Sequence, residues 1–265
     1  MSYNFDDLYQ AYKKIGIQKG QVIYFSGNLT LLGPFGNKTR KEVLDMHYSA
    51  LREALGPDGT VVFPTHSSRL CNTDEVFDRE QTKSETGVLT EYMRKLPGAV
   101  RSFHPYFSAT AIGPEANNIC GQNSRHSYDH NSPYAKTLRY ENCTAVSLGL
   151  EPRWANSIVH YVELASGVPY RYTKEFLQPV KRNGAVQKES FYHYVTYRNC
   201  DLVRDRNKKF FAAFQKKEPI KQEGVGKGFI YGYSQRRFVE SCFELMQGDI
   251  YTWLERPPEK RPFRT

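Results

Sequence analysis

The strongest constraint on this chain is an early alternation of two hydrophobic periods joined by short connections marked with glycine. Val22–Phe25 is an apolar run bounded by Gly20 and Gly27, which predicts a buried strand. Val43, Leu44, His47, Leu51 and Leu55 then recur at helical spacing, and Gly56-Pro57 stops that helix. Val61–Phe63 gives a second strand after the turn Pro57-Asp58-Gly59. Strand, helix and strand with connections this short predict an α/β fold. The expected architecture is a single-domain α/β/α sandwich over residues 1–265, with a mixed, mostly parallel central sheet.

The rest of the chain continues the alternation. Gly87–Leu96 reads as a short amphipathic helix closed by Pro97-Gly98, and Thr144–Leu148 as a strand ending at Gly149. A helix capped by Asn156 or Ser157 is expected to run to about Ser166. Further on, Phe191–Tyr197 and Val225–Tyr231 predict strands, Leu202–Phe214 a helix, and Ser234 the cap of a helix to about Gln247. There is no internal repeat or low-complexity tract.

Composition narrows the function classes. The 39% apolar residues, with 19 Tyr and 16 Phe, supply a core and exclude a largely disordered chain. No apolar run approaches the roughly 18 residues of a membrane span, and Met1–Gln10 is too polar for a secretory signal, so a cytoplasmic protein with no membrane partner is expected. Five cysteines with no C-x-x-C pair exclude a disulfide scaffold and a zinc ribbon. The charge is uneven. Residues 1–175 carry net +1 and residues 176–265 net +8, which makes the last third basic. That excess suits an anionic partner, either nucleic acid or a phosphorylated small molecule, or else a solvated basic face.

Several familiar motifs fail. Asn37 separates Gly36 from Lys38, which breaks a phosphate loop, and Gly224–Gly228 lacks the strand–helix context of a dinucleotide fingerprint. There is no G-x-S-x-G elbow. His160-x-x-Glu163 offers two ligands from one helix face but no clear third, so no metal is expected.

One constellation survives. It comprises Val61–Ser68, a strand ending in hydroxyls and a histidine, then Gly98–Ala116 containing Arg101-Ser102-Phe103-His104-Pro105, and Asn156–Glu163 followed by Val168-Pro169-Tyr170-Arg171. With Gly20–Leu29 in front, Ser132-Pro133-Tyr134 and Ser147-Leu148-Gly149 between, and Gly224-Val225-Gly226 behind, this order resembles the aminoglycoside 3-N-acetyltransferase family over nearly the whole chain. The resemblance implies an α/β sandwich that binds acetyl-CoA and acetylates an amine of a sugar without an acetyl-enzyme.

The residues fit that chemistry. An amine attacking a thioester must lose a proton, and an imidazole is suited to take it. His160 and Glu163 lie three apart on a predicted helix, so the carboxylate can orient the base. The alternative is a core histidine beside a surface glutamate. The resemblance further implies that Ser26, Asn28 and Leu29 face the pantetheine arm, and that Arg101, Ser102 and Ser108 hold the arm or the nucleotide end. Thr65 is expected to polarise the thioester carbonyl or position the amine. The chain departs from the family at Phe25-Ser26-Gly27-Asn28-Leu29, where histidine-serine-serine-leucine is usual.

For the acceptor, a pI of 9.2 argues against polycations and favours a nucleotide-linked amino sugar. An aminoglycoside antibiotic is the alternative acceptor. A nucleic-acid-binding module using the basic last third is the alternative from another class.

Overall fold

The computed structural model describes residues 2–205 and 208–261. Its centre is a seven-stranded sheet of β1 (Val22–Gly27), β2 (Thr60–Pro64), β3 (Val100–Arg101), β4 (Ala109–Ile112), β5 (Thr144–Leu148), β8 (Lys221–Val225) and β9 (Gly228–Ser234), in the order β3-β4-β2-β1-β5-β9-β8. A separate hairpin pairs β6 (Arg171–Arg182) with β7 (Ala185–Thr196).

The sheet is mixed, as expected. Five strands run one way, but β4 and β9 run against them and interrupt the order. Only β2-β1-β5 are therefore hydrogen-bonded in parallel, and the flanking pairs are antiparallel. The expectation of a mostly parallel sheet is met in strand direction and not in pairing.

The pleat sorts the core into two layers. Ile23 and Phe25 of β1, with Val61 and Phe63 of β2, face α1 (Phe5–Lys14), α2 (Arg40–Leu55) and α3 (Val88–Arg94). Tyr24 and Val62 point the other way. There they meet α6 (Val159–Ala165), α7 (Lys208–Lys217) and α8 (Gln235–Gly248), and the one-turn helices α4 (Pro133–Lys136) and α5 (Pro152–Ala155) lie on the connections. A third cluster of Leu70, Phe77, Tyr106, Phe176, Val180 and Phe191 seats the hairpin on the loops that follow β2 and β3.

Local signals account for most boundaries. Thr39 and Glu42 close a capping box at α2, and Ser234 caps α8. Three boundaries differ from expectation. Asn156 and Ser157 do not cap α6. The helix starts at Val159, and the Asn156 amide oxygen accepts from the Ile158 N–H while its nitrogen donates to Gln235. The segment expected as one strand over Val225–Tyr231 contains the turn between β8 and β9. The helix expected from Leu202 begins at Lys208, and positions 206 and 207 within it lie outside the described residues.

Candidate active site

The parallel strands β1, β2 and β5 bring their carboxyl ends together, the usual position for a site in an open α/β sheet. Two of these exits touch backbone to backbone. A Cβ on Gly27 would lie 2.4 Å from the Leu148 carbonyl oxygen, and one on Gly149 (φ 74°) would lie 2.6 Å from that of Asn28. Only glycine permits this approach. It sets the Gly27–Thr30 loop against the start of α3, and the cleft between them is lined by Gly27, Asn28, Leu29, Gly87, Leu89 and Thr90.

A second cleft, lined by Arg153, Trp154, Asn156, Ser157, Val159, His160 and Arg204, opens where α6 begins. Here the dyad forms. His160 Nδ1 lies 2.7 Å from Glu163 Oε2. Glu163 is fully buried, whereas the imidazole is 29% exposed. The surface glutamate of the alternative reading is thus excluded.

Glu163 is also gripped by groups distant in sequence. Tyr170 Oη donates to Oε1 at 3.0 Å, and so does Arg204 Nη2. Arg171 Nε forms an ion pair with Oε2 at 3.1 Å. Burial alone would raise the carboxyl pKa. The His160 hydrogen bond and the two guanidiniums outweigh it and hold the group ionised, well below the ordinary range.

An ionised carboxylate only accepts, so the shorter contact to Glu163 puts the proton on Nδ1 and leaves the Nε2 lone pair available; Arg171 Nη2, 3.3 Å from Nδ1, is itself only a donor and does not bond there in this tautomer. Burial lowers the His160 pKa below 6.5, against the pull of Glu163 and with help from Arg171 and Arg204. The ring is therefore a neutral base at pH 7. Tyr128 packs against it at 5.0 Å between ring centroids and also meets His193, whose ring stacks on Phe107 at 4.0 Å.

The other expected site residues divide. Asn28 and Leu29 line the first cleft, although the Asn28 side chain caps the short 3-10 turn Leu29–Leu32 by accepting from Thr30 N. Ser26 Oγ donates to the Ala155 carbonyl at 2.5 Å and ties β1 to α5.

Arg101 is a correction. All five of its N–H groups end on protein acceptors: Ser108 Oγ, the carbonyls of Arg79, Thr82 and Thr65, and Ser67 Oγ. Its guanidinium braces the loops around β2 and β3 and has no donor left for a phosphate. Ser108 and Ser102 belong to the same brace. Ser108 donates to Thr65 O at 2.7 Å, and Ser102 Oγ accepts from Ala109 N; both residues are fully buried. Thr65 is fully buried as well, its hydroxyl 3.0 Å from Thr110 Oγ1. These four residues support the site from behind and do not line either cleft.

Tyr128, Tyr170, Arg171, His193 and Arg204 were given no role from sequence. Tyr170 and Arg171 stand in the quoted Val168–Arg171 stretch, but nothing in that pattern says which atoms they reach. Among the described residues no group of three or more His, Cys, Asp and Glu could hold a metal ion. No helix among them is long and apolar enough to cross a membrane. Burial pushes the Cys71 thiol up to about 11, so it offers no ready nucleophile.

Part of the basic excess of the last third is paired with carboxylates. Lys181 and Lys188 pair with Asp78 and Asp74, Arg182 with Glu189, Lys217 with Glu244, and Arg256 with Asp201. These pairs are spread over the hairpin, α7, α8 and the following segment. Of the described cations beyond residue 175, only Arg204 lines the His160 cleft. The charge asymmetry thus loses its force as an argument for a phosphate-bearing acceptor or for nucleic acid.

The chain is similar to known proteins in both sequence and fold. The family model described as aminoglycoside 3-N-acetyltransferase matches residues 33–247. Aminoglycoside N(3)-acetyltransferase IV of Salmonella sp is 35% identical over 216 residues, covering 79% of this chain and 76% of that protein. Aminoglycoside N(3)-acetyltransferase III of Salmonella sp is 27% identical over 196 residues, covering 67% of this chain and 66% of the relative.

Among solved structures, aminoglycoside acetyltransferase AAC(3)-IVa superposes with a TM-score of 0.77 at 23% identity, over 97% of this chain and 93% of that one. The binary complex of AAC-IIIb with CoASH gives 0.79 at 18% identity, over 94% and 97%. The family model over most of the chain and the 35% identical relative show that the chain belongs to the aminoglycoside 3-N-acetyltransferase family.

Proposed function

We propose that the protein transfers the acetyl group of acetyl-CoA directly to an amine of an aminoglycoside-type amino sugar. The observation that carries this reading is the His160–Glu163 pair, with the imidazole neutral, its Nδ1–H held by a buried carboxylate and its ring at the wall of an open cleft.

In the step, the amine nitrogen attacks the thioester carbonyl carbon while Nε2 of His160 takes the amine proton. The C–S bond then breaks, and the CoA thiolate leaves and is protonated. Glu163 stabilises the imidazolium that forms transiently, as the carboxylate does in a catalytic triad. The cleft between Gly27–Thr30 and the start of α3 suits the pantetheine arm, since Asn28, Leu29 and Leu89 line it.

The acceptor reading rests on the company the chain keeps. Its relatives are named for aminoglycoside N(3)-acetylation, and solved neighbours hold sisomicin, a gentamicin and apramycin. The nucleotide-linked amino sugar drew its support from the basic last third, which the fold disperses.

The test is thiol release from acetyl-CoA by the wild type and His160→Asn, against a panel of aminoglycosides and amino-sugar nucleotides. Turnover of an aminoglycoside by the wild type alone supports the proposal. Turnover of nucleotide sugars only would overturn the acceptor. Wild-type turnover by His160→Asn would overturn the base.

A further inference from the structure

We propose that Arg204 is a positioning residue for the His160–Glu163 pair, held there by the segment Thr252–Arg261, which acts as a strap. The inference rests on the acetyltransferase reading for its kinetic part alone.

Arg204 lies 41 residues from Glu163, on the irregular stretch after β7, and no helix or strand fixes its backbone. The strap does. Arg204 forms an antiparallel bridge with Leu254, Asp205 N donates to Trp253 O, and Glu255 N donates to Val203 O at 2.9 Å. Further out, Lys260 N donates to Asp201 Oδ1 at 2.7 Å, and Arg256 pairs with the same carboxylate. Trp253 and Leu254 are fully buried in the α6–α8 layer, so the strap is anchored in the core. The outcome is one guanidinium nitrogen placed 3.0 Å from Glu163 Oε1, on the oxygen that His160 does not use.

This placement serves the dyad in two ways. Arg204 and Tyr170 occupy Oε1, which leaves Oε2 to orient Nδ1–H of His160 and fixes the carboxylate plane. The charge also opposes a proton on His160. The groups facing His160 are Glu163 from its own helix, Arg171 from β6, Arg204, the Tyr128 ring, and the neutral His66 and His193 from the loop after β2 and from β7. Glu163 alone attracts a proton to the ring. Removing Arg204 therefore makes the imidazole more basic and frees the carboxylate to rotate.

The experiment compares wild type, Arg204→Met, Arg204→Lys and Arg256→Ala. Two readouts are taken: the pH dependence of kcat/KM at saturating acetyl-CoA, and the NMR titration of the His160 ring without substrates. Arg204→Met should move the His160 titration and the acid limb of the profile up by about half a pH unit or more. It should lower kcat about tenfold or more and leave the KM for acetyl-CoA near the wild-type value. Arg204→Lys should restore the titration, and Arg256→Ala should move it part of the way.

A titration and acid limb unmoved in Arg204→Met would overturn the proposal, as would no recovery in Arg204→Lys. If Arg204→Met fails to fold, the Arg204→Lys and Arg256→Ala titrations decide it. Absence of acetyl transfer in the wild type would count against the functional reading only, since the NMR arm needs no turnover.

Discussion

Replacing Arg101 by Met separates a structural brace from a cofactor ligand at the most family-specific stretch of the chain. Methionine fills much of the same volume but donates nothing. The Thr65 carbonyl keeps Ser108 Oγ as a donor, whereas those of Thr82 and Arg79 lose the donor shown here. Arg79 is exposed, so water can replace the donor to its carbonyl, whereas the buried Thr82 acceptor left unpaired costs roughly 1–3 kcal/mol. The guanidinium has no carboxylate in contact, and burial lowers its pKa to about 9, so its removal returns part of that cost. The net loss should be about 1–2 kcal/mol, a noticeable share of the roughly 5–15 kcal/mol that stabilises a domain. At roughly 2–4 °C per kcal/mol for a chain near this size, Tm should fall by about 2–8 °C. Calorimetry and denaturant titration read this directly, and the KM for acetyl-CoA at a permissive temperature should stay within about twofold of wild type. A variant of normal stability with a KM for acetyl-CoA raised about tenfold would refute the brace and return Arg101 to the nucleotide.

His160→Asn should retain acetyl-CoA binding, measured by calorimetry, and lose about 10²–10⁴-fold in turnover. Glu163→Gln should lower both activity and stability, because Arg171 and Arg204 would face each other without their shared carboxylate; breaking such a buried cluster costs about 3–5 kcal/mol, read as a fall in Tm. Activity should decline on acidification only below pH 6.5, because the base is the neutral imidazole and its pKa is lowered; an acid limb above 6.5 would refute this. Stability should decline in the same direction. His47, His66 and His104 are held neutral by burial to about pH 3, 3 and 4, so below their ordinary value the unfolded chain binds more protons than the folded one. Each should remove about 1.4 kcal/mol per pH unit well below 6.5, seen as a falling urea midpoint between pH 6 and pH 4.

Much of the architecture was legible because its signals are local. The apolar run at Val22–Phe25, the 3.6-residue spacing through Leu55 and the cap at Ser234 each act within a few residues of themselves. The His160–Glu163 pair was legible for the same reason, since three positions on a helix bring two side chains together whatever lies around them. The hairpin was half read. Tyr172–Val180 pairs only with β7 and carries the adjacent charges Lys174 and Glu175 before its apolar residues, so it lacks the apolar signature of a core strand. Arg101 was misread because a motif records which residue is required and not which atoms it touches. Arg204 gave no signal at all. It earns its place through Leu254 and Asp201, and no spacing rule connects positions 163, 201, 204 and 254.

The strap has a consequence for synthesis. His160 and Glu163 leave the ribosome about 100 residues before Lys260, which at roughly 5–20 residues per second is an interval of about 5–20 s. Until Arg204 and its strap have emerged, Glu163 lacks one of its partners, and until β9 has emerged β5 lacks its neighbour along one edge, where Thr144–Leu148 will later pair with Ile230–Ser234. A nascent chain in that interval exposes an apolar strand edge and a half-made site, the combination that invites pairing with another chain. Chains stalled between about residues 200 and 250 should therefore bind holdase chaperones. Release should follow once β9 and the strap are both free of the ribosome, so the contacts around Glu163 are completed only after both have emerged.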